Sequence, residues 1–213
     1  MPNLNEMMAE LDNMLAMELS YFGFKKKRKH VFVRKQGDCL QHISILETKA
    51  RGVPKVHIMV CVGFQYEQIE KVISFIQNKE YETKWATANI NIDALMNSKV
   101  PYGFYVNEST QLEPIVLDIF QAIKKYAFSF LDSCDTLEKY EKMLLERDKN
   151  VRKSTITLKR PEWNLLALAI ILGHRKVEDI FEEYKEDFEK NSSLLQVAKE
   201  RIVKYATLAE AGV

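Results

Sequence analysis

Apolar residues recur near the start of the chain at three- and four-residue intervals: Leu4, Met7, Met8, Leu11, Met14, Leu15 and Phe22. That spacing puts them on one face of a helix, and Gly23 stands where a helix end takes left-handed backbone. A methionine-rich stripe can make an adaptable binding groove, but core filling is its commoner use. Past a basic run the period changes to two. Positions 30–35 alternate, Gln36-Gly37-Asp38 interrupts them, 39–49 alternate again, and after Arg51-Gly52-Val53-Pro54 an apolar run occupies 55–62. This predicts a three-strand antiparallel meander. Val56, Ile58, Val60 and Val62 share one face of the third strand and His57, Met59 and Cys61 the other, so that strand is expected to be central and covered on both sides.

A helix follows over 65–77 with Ile69, Val72, Ile73 and Ile76 on its stripe, then two further strands at 87–92 and 102–106. Thr110-Gln111-Leu112-Glu113 has the form of a capping box, although Pro114 sits late for the first turn. Beyond it Leu112, Ile115, Val116, Ile119, Phe120, Ile123, Ala127, Phe130 and Leu131 make the longest helical stripe in the chain, and a second helix after Asp135 carries Leu137, Tyr140 and Leu144. Periodicity stops between Asp148 and Arg160. Pro161 then opens a helix and Gly173 closes it, with two more helices expected over 177–190 and 193–207. The pattern as a whole predicts an α+β fold: an antiparallel sheet of about five strands packed by helices, with a C-terminal all-helical appendage. The division follows as a sheet domain at 1–148, a basic connector at 149–160 and the appendage at 161–213, with one continuous domain as the alternative.

Composition narrows the picture. At 213 residues, with 46% hydrophobic and 29% charged content, the chain can bury a core without disulfides. The charges nearly cancel, 31 basic against 30 acidic, so any electrostatic function must be local. Three cysteines, Cys39, Cys61 and Cys134, form no CxxC pair and suit a reducing cytoplasm. The opening residues lack the basic and apolar blocks of a signal peptide. The longest apolar run, Leu165–Leu172, is far short of the roughly 20 residues that cross a bilayer and reads as a buried helix. No membrane association is expected.

Candidate chemistry is sparse. A hairpin centred near Gly52 would set His42 opposite residues near 61 and His57 opposite residues near 46, so the histidines do not converge, and neither a metal site nor a cofactor is predicted. The same pairing brings Cys39 towards Cys61, an arrangement better read as small buried hydrophobes than as a nucleophile. No nucleophile elbow, zinc-binding helix, P-loop or dinucleotide fingerprint is present, and no catalytic residue is assigned. The chain is expected to be a binding protein and not an enzyme.

Two charge blocks stand out. Lys25, Lys26, Lys27, Arg28 and Lys29 are five consecutive cations that could grip phosphate, with Tyr21, Phe22, Phe24 and Phe32 nearby for stacking. A solvated loop or edge is the simpler account. Val177, Ile180, Phe181, Tyr184 and Phe188 form an apolar stripe whose remaining faces hold Glu178, Asp179, Glu182, Glu183, Glu186, Asp187 and Glu189 against Lys185 and Lys190. So much carboxylate could mimic phosphate and fill a basic cleft.

In order, the first helix, Gly23-Phe24-Lys25-Lys26-Lys27, the meander, the long helix with Ile123-Lys124-Lys125-Tyr126-Ala127-Phe128-Ser129-Phe130-Leu131, and Ser133-Cys134-Asp135-Thr136-Leu137-Glu138 resemble an uncharacterised bacterial domain family. Its members are similar in design to cytoplasmic immunity proteins of polymorphic and contact-dependent toxin systems. The resemblance spans about residues 4 to 175 and carries no site residues across. It implies stoichiometric binding of a cognate toxin domain, with Glu178, Asp179, Glu182, Glu183, Glu186 and Asp187 as the expected contact. Nucleic acid held by Lys25–Lys29 is the alternative and less favoured partner.

Overall fold

The computed structural model describes residues 3–49, 52, 54–82, 86–148, 161–189 and 192–210. The chain opens with helix α1 (Leu4–Ser20), started by a capping box in which the Asn3 side chain accepts from the backbone of Asn5 and Glu6 while Glu6 reaches back to the Asn3 N–H. Gly23 takes φ +80°, as the predicted stop requires. Strands β1 (Lys25–Arg28), β2 (Val31–Gln36), β3 (Cys39–Lys49) and β4 (Val56–Gln65) follow, then helix α2 (Glu67–Ile76), strand β5 (Ala88–Asn91), the short helix α3 (Ile92–Leu95) and strand β6 (Gly103–Val106).

All pairings are antiparallel, in the order β1-β2-β3-β4-β5, and β6 lies along β4 beyond the end of β5. β4 is therefore central, as its apolar run predicts. The cation run adds a strand that the alternation did not show: Lys25–Arg28 is the sheet's edge, exposed at all four positions. An edge of consecutive cations resists pairing with other chains.

One face of the sheet carries a row of buried side chains, Phe32, Ile43, Val62 and Ile90, aligned across four strands. Helices cover this face. α4 (Leu112–Ala122) runs through a π turn at Ile123–Ala127 into α5 (Phe128–Asp132) as one continuous helix. At about 100° per residue, the stripe Leu112–Val116–Ile119–Ile123 would drift away from Phe128 and Leu131. The wide turn absorbs one residue and keeps both segments on the core. The Thr110 capping box does not form. Its hydroxyl accepts from the Asn107 N–H (2.9 Å) and closes a turn, so the helix starts one residue later, from Gln111, without a side-chain cap.

Gln41 is fully buried on this face and donates to the Leu131 carbonyl (2.8 Å), while Arg34 Nε donates to Gln41 Oε1 (2.6 Å). These bonds fix α5 to the sheet and leave neither amide atom unpaired. α6 (Leu137–Asp148) inserts Tyr140 against Phe64 and Tyr66, whose hydroxyl faces the carbonyls of Cys134 (2.6 Å) and Thr136 (2.9 Å).

α7 (Pro161–Leu172) is buried from Glu162 through Ala169 and packs against α2 and α6, so the apolar core of the sheet layer continues into the C-terminal helices. Gly173 ends it with φ +69°. The predicted acidic helix is two pieces, α8 (Val177–Glu183) and α9 (Lys185–Glu189), with Tyr184 at φ −110° between them. The break lets Phe188 meet both Trp163 (5.2 Å) and Phe181 (5.0 Å). α10 (Ser192–Glu210) closes the chain and reaches back to α2, where Arg201 donates to the Phe75 carbonyl (2.6 Å) and Asn78 (2.6 Å). The connector at 149–160 and Lys190 lie outside the described residues.

Candidate functional site

Among the described residues, no helix covers the opposite face of the sheet. There Val31, Val33, Leu40, His42, Ser44 and Leu46 are half-buried or exposed, and a groove of about 780 Å³ runs along them between the cations of β1 and Asn89 and Asn91 of β5. Among the described residues, β4 is thus covered by helices on one face only, and Cys61 is nevertheless buried on the other.

Two histidines on this face lie over glycines. His42 of β3 and Asn89 of β5 flank Gly63 of β4, and His42 Nε2 meets Asn89 Oδ1 (2.6 Å) across it. A methyl group on Gly63 would sit 2.4 Å from Asn89 Oδ1, 2.6 Å from the His42 ring and 2.2 Å from the Ala88 carbonyl oxygen. The glycine is therefore required by the Ala88 carbonyl as well as by the polar contact above it. Burial holds His42 below the ordinary imidazole range; the Asn89 bond works against this and the nearby Arg28 charge adds to it. A neutral ring donating from Nε2 leaves Nδ1 as an acceptor. His57 likewise lies over Gly103 and against Tyr105 (ring centroids 4.8 Å apart), with Lys55 over the same tyrosine (4.3 Å).

The histidine pairings are His42 with Gly63 and His57 with Thr48, two residues along from the predicted ones, because Lys49 pairs with Val56 and the hairpin is centred one residue later than those pairings imply. The expected approach of Cys39 to Cys61 does not occur. Cys61 sits opposite Ser44, whereas Cys39 donates to the Cys134 carbonyl (3.4 Å). Burial pushes the Cys39 thiol up to about 12 and raises Cys61 as well, so both remain thiols near neutral pH.

The cation run is divided by strand alternation and a bulge between Lys26 and Arg28. Lys26 turns towards α1 and bonds Asp12 (3.1 Å) and Asn13 (3.3 Å), and Lys29 pairs with Glu47 (3.3 Å). Lys27, Arg28 and Lys29 line the groove. Of the aromatic residues beside the run, Phe24 and Phe32 are buried and Phe22 packs on Phe120 and Phe128, which leaves Tyr21 exposed.

Periodicity gave no hint of the ionic cluster behind this edge. Asp12 is completely buried on α1, accepts the His30 backbone N–H (2.9 Å) and faces its Nδ1 (2.7 Å), while Nε2 faces Glu47 (2.6 Å). These bonds, with the Ile45 N–H donated to the His30 carbonyl (2.9 Å), hold His30 in left-handed backbone, φ +61°. The one available signal was Asp12 standing beside Leu11 within the apolar stripe.

Glu178, Asp179, Glu182, Glu183, Glu186 and Asp187 are all exposed, on two short helices instead of one face. Glu183 is bound by Arg175. Glu178, Asp179, Glu182 and Glu186 make no ion pair with a described cation. Among the described residues, no cluster of three or more His, Cys, Asp or Glu side chains is arranged to hold a metal ion, and no helix is long and apolar enough to cross a membrane. Comparison with protein-family models, with curated proteins and with solved structures returned no match.

Proposed function

We propose that this chain is an immunity-type binding protein that neutralises a cognate toxin domain by stoichiometric contact. The observation that carries the reading is the acidic corner of α8 and α9, where Glu178, Asp179, Glu182 and Glu186 face solvent without a described cationic partner. Unpaired carboxylates of this kind complement the cationic cleft of an enzyme that acts on phosphodiesters and speed its capture. The family resemblance of the sequence points the same way. The test is affinity capture with the tagged protein, followed by titration of the recovered toxin domain. Replacing Glu178, Glu182 and Glu186 together by lysine should slow association at least about tenfold and abolish neutralisation. Unchanged affinity would remove the corner from the contact, and a toxin that stays active at saturation would overturn the function.

A second reading rests on the groove. Single-stranded nucleic acid could lie on the uncovered sheet face with its phosphates along Lys25, Lys27 and Arg28. Binding of this kind falls steeply with salt. An oligonucleotide that fails to bind at low ionic strength ends this reading.

A further inference from the structure

The uncovered face of the sheet is more apolar than contact with water requires. On the solvated side of an antiparallel sheet the outward positions are ordinarily polar. Here Leu40 and Leu46 of β3 and Val31 and Val33 of β2 stand half-buried or exposed on that side. Their register makes one strip: Val33 pairs with His42 and Val31 with Ser44, so Leu40 and Leu46 lie diagonally beyond its two ends. At about 3.3 Å per residue the strip from Leu40 to Leu46 is about 20 Å long, the length of about thirteen residues of helix. An apolar patch with a polar border marks contact with another molecule.

Charge says which kind. On one side the strip is bordered by β1, where Lys25 pairs with Val33 and Arg28 with Val31. Lys27 and Arg28 line the groove, are exposed and make no ion pair with a described carboxylate. The opposite border is neutral, formed by Asn89 and Asn91. Among the described residues, no Asp or Glu lines the groove. A complementary occupant therefore carries aliphatic side chains in a row and negative charge along one flank. Nucleic acid meets only the second need, since no described Phe, Tyr or Trp lines the groove for its bases to stack on. A second copy of the chain brings carboxylates at α8 and α9 but keeps Ile180 and Phe188, apolar side chains of the same segment, buried.

We infer that the uncovered face receives an acidic amphipathic helix of a protein partner, with its apolar stripe on Val31, Val33, Leu40 and Leu46 and its acidic flank along Lys25, Lys27 and Arg28. This surface is separate from the acidic corner of α8 and α9, so it stands or falls independently of the toxin contact.

The test is fluorescence anisotropy of the full chain with a labelled peptide of about 18 residues. The peptide has leucine at three- and four-residue spacing, glutamate along one flank of that stripe, and alanine and glutamine elsewhere. Saturable binding is expected, at least about tenfold tighter than that of a scrambled peptide of the same composition or of a version with lysine for glutamate. Lys27→Glu combined with Arg28→Glu should weaken binding at least about tenfold and reduce its salt dependence. Leu46→Thr should weaken it about threefold. These side chains are exposed, so an unchanged melting temperature separates lost binding from lost folding. Absence of saturable binding, equal binding of the scrambled peptide, or wild-type affinity in both variants overturns the proposal. So does tighter binding of oligothymidylate, binding confined to phosphatidylglycerol vesicles, or a dimer that the same variants dissociate, each of which gives the face to another occupant.

Discussion

On the covered face of the sheet, Phe32, Ile43, Val62 and Ile90 stand in one row across β2, β3, β4 and β5. One residue along each strand, the uncovered face presents Val33, His42, Gly63 and Asn89 in the same alignment. The first row is explained by volume: large side chains fill the space beneath the helices. In the second, the central position must have no side chain, because two polar groups meet above it. The same strands thus answer to packing on one side and to a polar contact on the other, and substitutions should separate the two.

The largest effect is expected on the covered face. Ile43→Ala leaves a hole between Phe32 and Val62 and should cost about 3 kcal/mol in urea unfolding. A loss below about 1 kcal/mol would mean that this row is loosely packed. Gly63→Ala comes next. Its methyl group must displace the Ala88 carbonyl as well as His42 and Asn89, at about 2 kcal/mol. If Gly63→Ala is neutral, β5 shifts freely and the His42–Asn89 contact does not define that face.

His42 sharpens the comparison through pH. Its folded pKa lies below the unfolded value of 6.5, so the unfolded chain takes up the proton first. The associated stability is fully present above pH 6.5 and is lost as pH falls below it. His42→Gln should flatten that part of the stability profile, and an unchanged slope would place the titration elsewhere. The smallest effect is expected from Tyr105→Ala. At 62% exposure its contact with His57 lies at the surface, and its removal should change stability by less than about 0.5 kcal/mol.

Local signals in the sequence carried much of the fold. The alternation over Cys39–Lys49 marks β3 in full, Gly23 and Gly173 mark helix ends, and Pro161 marks a helix start, because each depends on backbone preferences within a few residues. Features decided by distant contacts were not legible. The apolar stripe of the acidic segment continues through Tyr184 without interruption, and the break there goes with the docking of Phe188 on Trp163 and Phe181. The partnership of Asp12, His30 and Glu47 joins α1, the β1–β2 turn and β3, and no periodicity links them. Gly63 carried a local sign that reading the strand as 55–62 passed over: a glycine inside a strand marks close approach, although what approaches it lies on two other strands.

The π turn in the long helix also bears on how the chain tolerates changes in length. Loss of one residue at exposed Lys124 or Lys125 would turn the wide loop into ordinary helix and keep Phe128 and Leu131 over the sheet. The same deletion a turn or two earlier, within Leu112–Ala122, would need that spare residue to drift back along the helix before the register recovered. Ile123–Ala127 is thus the point at which related chains can differ by one residue and still share a core.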